Sequence, residues 1–357
     1  MRIKYLLFFI FLLSFCKLFS QEDPSFTFFQ WAQPVYNPGA LGEKENHLNF
    51  IGILRQQTMG IKGSEIDPSD NNNSNPNPNP NPNPNKSQYR KIDGQQVFVN
   101  IDSYIKKIRG AVGVMFLNDK NGEIDNIAVK LGYSSKFRVR GGKLGIGLQL
   151  GFLNVKPPAS DIWDPFDIGD PTLQLAGQSE SYMDFDISFG LHYKAPTWHV
   201  GVSGTQLIGG VRISGEDGVF TIPRQLYFTG GYIWNLETPV PWSIEPNLIV
   251  RTNLSTWYFS AMALARYNGI LWFGLSYQLN MGIAALFGAV PFYNGNNEYL
   301  KGLELGIAYT FQTNKFSYIQ GGGWGDFELV VRYGFNFYKE KTLSGYGSSR
   351  HLYKNQY

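Results

Sequence analysis

Between Leu303 and Phe311 every second residue is large and apolar: Leu303, Leu305, Ile307, Tyr309 and Phe311. The positions between them, Glu304, Gly306, Ala308 and Thr310, are small or polar. Successive side chains of a strand point to opposite faces, so such a segment has one fully apolar face and one small or polar face. Leu144, Ile146, Leu148, Leu150 and Phe152 alternate with Gly145, Gly147, Gln149 and Gly151 in the same way. Phe185, Ile187, Phe189 and Leu191 alternate with Asp186, Ser188 and Gly190. Each run is about ten residues long, the length a tilted strand needs to cross a bilayer. Read along the whole chain, the pattern predicts strands near residues 47–57, 95–104, 110–118, 124–135, 143–154, 182–194, 197–207, 224–235, 242–252, 256–266, 270–279, 282–291, 300–312 and 326–338.

About fourteen strands, an even number with an apolar outer face, is the pattern of an outer-membrane barrel. The expected fold class is therefore all-β, a transmembrane antiparallel β-barrel of about 14 strands. Connection lengths test this independently, because a barrel with periplasmic termini places long loops after odd strands and tight turns after even ones. Residues 58–94, 155–181, 208–223 and 313–325 follow odd strands and are long, whereas 105–109, 195–196 and 267–269 follow even strands and are short. Residues 292–299 depart from the rule as a longer even connection. Inside the first loop, residues 71–86 form an Asn-Pro tract, NNNSNPNPNPNPNPNK. Alternate prolines lack an amide donor and push their neighbours towards extended geometry, so the tract is expected to be a disordered, solvated spacer.

Composition sharpens the barrel reading. Aromatic residues make up 16% of the chain and charged residues 17%, against about 25% charged in an average soluble protein. Arg2 and Lys4 precede an apolar run from Tyr5 to Phe15, the layout of a signal peptide over residues 1–20 with cleavage near Ser20-Gln21. Such cleavage removes the sole cysteine, Cys16, and leaves 28 basic and 28 acidic residues. A neutral chain without thiols excludes disulfide scaffolds, thiol nucleophiles and thiolate metal sites, and it argues against nucleic acid as a partner. The domain reading is then a signal peptide (1–20), an N-terminal periplasmic or plug segment (21–46), the barrel (47–338, with a long extracellular loop at 58–94) and a periplasmic tail (339–357).

Aromatic residues near predicted strand ends, among them Tyr133, Tyr193, Trp198, Trp257 and Trp272, are expected at the membrane–water interface. Catalytic signals are weak. None of His47, His192, His199 and His351 has a metal-ligand spacing. His192 and His199 flank a predicted tight turn and are read as interfacial polar residues. Asp184 and Asp186 share a strand face and are read as lumen polarity, and the loop acids Asp161, Asp164, Asp167 and Asp170 as a weak calcium or partner surface. QGGGWGD at 320–326 lacks the strand-to-helix context of a phosphate loop, and no nucleophile elbow appears. No enzyme activity, cofactor or metal is expected. The inward-facing charges Arg55, Glu304, Glu328 and Arg332 are named as seam or lumen residues. Closure of a barrel sets its first strand beside its last, so Arg55 is expected to approach Glu328 or Asp326.

The stretch QWAQPVYNPGALG, residues 30–42, opposes both helix and sheet. It is too apolar for a free linker. The expected role is a plug tucked into or across the barrel mouth and a docking surface, carried by Trp31, Pro34, Tyr36, Asn37, Pro38 and Gly39, with a plain lead-in peptide as the alternative.

Taken together, DPSFTFFQWAQPVYNPGALG (23–42), ILRQQTMGIKG (53–63), NIDSYIKKIRGAVGVMFLNDKNGEI (100–124) and GDFELVVRYGFNFYKEK (325–341) resemble the PorP/SprF family of Bacteroidetes outer-membrane proteins. Gly39 and Leu41 replace the family's usual Ala and aromatic residue, Asp326-Phe327-Glu328 stands where His-Glu-Ile is common, and the Asn-Pro tract is an addition. The resemblance implies a non-enzymatic outer-membrane component of type IX secretion and gliding motility. Its implied partners are other secretion and gliding components, secreted cargo with a C-terminal sorting domain, and outer-membrane lipid. The alternative is a porin or FadL-like channel for small or hydrophobic solutes. A soluble β-sandwich adhesin is a third reading.

Overall fold

In the computed structural model, the described residues are 24–43, 47–59, 62–66, 88–91, 94–121, 124–156, 181–208, 212–215, 218–221, 223–293, 300–313 and 325–336. The signal-peptide, Asn-Pro tract, acidic-loop and C-terminal-tail readings lie outside them. Fourteen strands form one closed antiparallel ring. They are β1 (His47–Met59), β2 (Gly94–Ile105), β3 (Gly110–Asn121), β4 (Ile124–Val139), β5 (Gly142–Lys156), β6 (Tyr182–Lys194) and β7 (Trp198–Thr205). The remainder are β8 (Gln225–Tyr232), β9 (Trp242–Thr252), β10 (Trp257–Tyr267), β11 (Leu271–Gln278), β12 (Gly282–Ala289), β13 (Leu303–Gln312) and β14 (Gly325–Asn336). Each strand pairs with its sequence neighbours, and β1 pairs with β14 to close the ring.

All fourteen predicted strands correspond to a strand of the ring, with ends that differ by a few residues. The largest local difference is at 224–235. There the ladder breaks at Ile233, whose N–H donates to Thr197 O (2.6 Å), and resumes as a short extra strand, Trp234–Leu236, against β9. Pro246, lacking an amide donor, stands in β9 at the level of the break. Two small hairpins, Lys62–Ile66 with Gln88–Lys91 and Arg212–Gly215 with Gly218–Thr221, rise from connections that follow odd strands.

The alternation sorts by face as the pattern predicts. Outward residues are exposed to the surroundings of the barrel: Leu131 (65%), Leu148 (43%) and Ile307 (46%). Inward residues such as Ile53, Phe98, Met115, Leu286 and Val330 are buried. An isolated ring of this width would leave its inner face wet. This inner face is buried because residues 24–43 occupy the lumen.

The outer apolar face supplies a first prediction. Leu148 lies near the centre of β5, so Leu148→Arg puts a cation at the middle of the lipid-facing band and should cost about 2–4 kcal/mol of barrel stability. Heat-modifiability on semi-native gels and yield in the outer-membrane fraction measure it, and an unchanged yield would fit a soluble adhesin instead.

Candidate functional site

Residues 24–43 contain a single four-residue helical turn, α1 (Gln33–Tyr36), followed by a 3-10 turn at Pro38–Ala40. Pro34 and Pro38 sit at the starts of these turns, where a missing N–H costs nothing. Asn37 joins them, its side chain accepting from Gly39 N–H (2.8 Å). The prolines thus keep the segment from pairing as another strand while letting it turn twice within the lumen.

The segment runs nearly the full height of the barrel. At the end that carries the long connections, Ser25 Oγ donates to Met281 Sδ (3.2 Å) and Ser25 O accepts from Arg55. At the end that carries the tight turns, Gly42 N–H donates to Asp102 Oδ1 (2.8 Å), and Glu43 pairs with Lys194. The sequence reading placed the segment at or across the mouth; the structure extends it from one end of the lumen to the other.

Near the long-connection end, three charges organise the contact. Arg55 Nη2 meets Asp326 Oδ2 at 2.7 Å across the β1–β14 seam, and both side chains are buried. Glu328, the register partner of Arg55, turns its carboxylate to the segment instead. Thr27 N–H donates to Glu328 Oε2 (2.7 Å) and Phe28 N–H to Glu328 Oε1 (2.9 Å). Charge-assisted bonds to backbone donors are stronger than neutral ones, and all these groups are dry. Barrel closure made Arg55 foreseeable, but Glu328's grip on backbone N–H groups was not, because amides carry no sequence signal.

An aromatic layer lies lower in the lumen. Phe28 stacks on Trp31 (5.1 Å), and Trp272 meets Trp31 edge-on (5.0 Å) and Phe28 edge-on (5.8 Å). Trp272 is therefore a correction: expected at the membrane interface, it is fully buried and points inward. A Cβ added at Gly288 or Gly306 would lie 2.0 Å and 2.5 Å from its ring, so these two glycines make the space it fills. Above this layer Tyr36 packs on Tyr227 (5.2 Å), and its phenol donates to Pro24 O (3.2 Å).

The tight-turn half of the segment rests directly on the barrel wall. A Cβ at Gly147 would lie 2.2 Å from the Pro38 carbonyl carbon, and one at Gly190 would lie 2.1 Å from Asn37 Oδ1. Gly113 and Gly132 leave room in the same way for Leu41. These are the small positions of the alternating strands, and their smallness is what lets a backbone lie against a sheet. Polar groups lock the fit: Lys136 Nζ donates to Gly39 O (2.7 Å), Ser203 Oγ to Tyr36 O (2.7 Å) and Asn37 Nδ2 to Leu191 O (2.9 Å). Gly147→Val is expected to displace residues 37–39 while the ring of strands still closes. Protease cleavage within 24–43 at full heat-modifiability measures this; an uncleaved segment would contradict the seating.

Trp31, Pro34, Tyr36, Asn37, Pro38 and Gly39 are all buried inside the lumen. Arg55, Glu304, Glu328 and Arg332 all face inward. Glu304 joins Arg332 (2.8 Å) and Arg266 (2.9 Å), and Arg266 also reaches Glu245 (3.1 Å). The Arg332 guanidinium lies over the Trp31 ring at 5.2 Å. Asp186, read as lumen polarity, pairs with Lys130 at 2.5 Å. His192 and His199 also differ from expectation: their rings are 5.5 Å apart, and both line a cavity of about 90 Å³ beside Gln33, Glu304 and Arg332, so they belong to the lumen and not to the lipid interface. Among the described residues no group of three or more His, Cys, Asp or Glu is placed to hold a metal ion. The arrangement has the chemistry of a seal, with ion pairs, dry aromatics and a backbone held from both ends.

The family profile described as type IX secretion system membrane protein PorP/SprF matches residues 84–333. The chain belongs to the PorP/SprF family. The match covers the barrel from the end of its first long connection to β14 and leaves residues 24–43 outside it. No curated protein matches the chain. Among solved structures, the toluene transporter TodX of P. putida is similar at a TM-score of 0.46 and 12% identity, over 86% of this chain and 94% of that one. The toluene transporter TbuX of Ralstonia pickettii gives 0.46 and 13% over the same shares. A FadL homologue of Pseudomonas aeruginosa gives 0.41 and 11%, over 85% and 93%.

Proposed function

We propose that the protein is a non-enzymatic, plugged outer-membrane component of the type IX secretion system. In this reading it serves the secretion of cargo with C-terminal sorting domains, the anchoring of that cargo on the cell surface, or both, with gliding adhesins as one class of cargo. The observation that carries it is membership of a type IX secretion membrane family across residues 84–333. The orientation that goes with it has the tight turns, the start of β1 and the end of β14 at the periplasmic rim and the long connections outside, after removal of residues 1–20. The filled lumen supports the same reading. A barrel whose interior is occupied by its own residues 24–43 suits a docking and gating part better than a constitutive solute pore.

Affinity purification from detergent-solubilised outer membranes tests this, paired with secretion of a sorting-domain reporter in cells lacking the protein. Co-purification of secretion components or sorting-domain cargo, with loss of reporter export, is the expected result. Isolated barrels that carry solutes in liposomes, with export intact, would favour the channel reading.

A further inference from the structure

The direction of the segment inside the barrel has a consequence for where the amino terminus lies. Pro24 and Ser25 are at the long-connection end: Tyr36 Oη donates to Pro24 O (3.2 Å), Ser25 contacts Met281 in the connection between β11 and β12, and Arg55 reaches Ser25 O. The other end is tied by only three residues, 44–46, to the start of β1 at the tight-turn rim. With cleavage at Ser20-Gln21, three residues precede Pro24, and they reach at most ~11 Å from it.

We propose that the chain plugs its barrel with the free end outward, so that the mature amino terminus opens at the extracellular mouth and the lumen opens by drawing that end back towards the periplasm. The sidedness rests on the orientation given with the proposed function. Tethered within three residues of the periplasmic rim, the segment clears the lumen by the shorter path when it swings out of that rim.

The wall is built to survive the withdrawal. Arg55 and Glu328 face each other in register on β1 and β14. With the segment docked, Arg55 serves Asp326 and Ser25 O while Glu328 serves the Thr27 and Phe28 amides. When the segment leaves, Glu328 and Arg55 lose backbone partners of opposite polarity and can satisfy each other directly. The two charges form an exchangeable latch, and neither is left as an unpaired buried ion, which is the costly outcome.

Single cysteines in the otherwise thiol-free mature chain test the topology with a membrane-impermeant maleimide on intact cells. Ser255→Cys, in the exposed connection after β9, and Pro196→Cys, in the tight turn after β6, report the two sides by themselves. If their labelling is reversed, the orientation has failed, and the present inference fails with it. With the controls in place, Glu22→Cys is expected to label as strongly as Ser255→Cys and to gain nothing on permeabilisation. Labelling only after permeabilisation, as for Pro196→Cys, would overturn the proposal.

Should the loops shield position 22 from the reagent on both sides, the pair Ser25→Cys with Met281→Cys decides. A short reducible thiol cross-linker, which makes up for the shorter reach of Cys than Met, is expected to join the two positions, shift gel mobility and stop reporter export until reductant is added. Failure to cross-link would overturn the outward placement. Cross-linking without loss of export would overturn the withdrawal.

Discussion

Deleting residues 24–42 is expected to leave a barrel that assembles, inserts and remains heat-modifiable, but to abolish export of sorting-domain cargo and make the outer membrane leaky to large antibiotics. Assembly should survive because the ring of strands is closed by its own ladders, with β1 paired to β14 over most of its length. The loss should be large because the segment supplies the centre of the dry cluster that fills the lumen, with Phe26, Phe28, Phe29, Trp31 and Tyr36 each almost fully buried against the wall. Reporter export, gel shift and antibiotic sensitivity read the three effects separately. Normal export and an intact permeability barrier in the deletion would show that the segment is a passive lead-in peptide.

The second large effect belongs to Glu328. Replacing it with Ala leaves the Thr27 and Phe28 amides without acceptors and reduces the carboxylates near Arg55 to Asp326 alone. Removing one partner from a buried charged contact costs about 3–5 kcal/mol. That cost falls mainly on docking of the segment, since both lost bonds join it to the wall. Glu328→Ala should therefore raise protease cleavage within residues 24–43 strongly, with little change in barrel assembly. Glu328→Gln retains one oxygen acceptor and is expected to fall between the two. Equal cleavage in Glu328→Ala and the parent protein would remove the latch from this account.

These two variants act on parts of the molecule that differ in how visible they are in the sequence. The ring is written in a strict period of two, repeated over segments such as 303–311 and 144–152, and a lipid-facing surface leaves little freedom in that pattern. The seam contact followed from topology alone, because closure of any such barrel sets Arg55 of the first strand beside Asp326 and Glu328 of the last. What the residues at 30–42 could not tell was depth. Two prolines and an Asn-Pro step show that a segment is neither helix nor strand, but not how far it enters a lumen.

The inner wall was harder still. Gly147 and Gly190 read as the small half of an alternation, and only the backbone of residues 37–39 lying on them explains why nothing larger is there. Trp272 shows the same limit from the other side. It stands at the second position of β11, where an interfacial ring is the ordinary expectation, and the parity of its neighbours Leu271 and Phe273, both outward and exposed, is the signal that would have turned it inward. His192 likewise shares its parity with Gly190 and Ser188, the lumen face of β6.

The central claim is that this barrel is closed by its own N-terminal segment, and electrical conductance across a planar lipid bilayer tests it most directly. The purified full-length protein is expected to insert without a steady open current, while the protein lacking residues 24–42 conducts as a continuous aqueous pore. A steady current of the same size from both proteins would contradict the account.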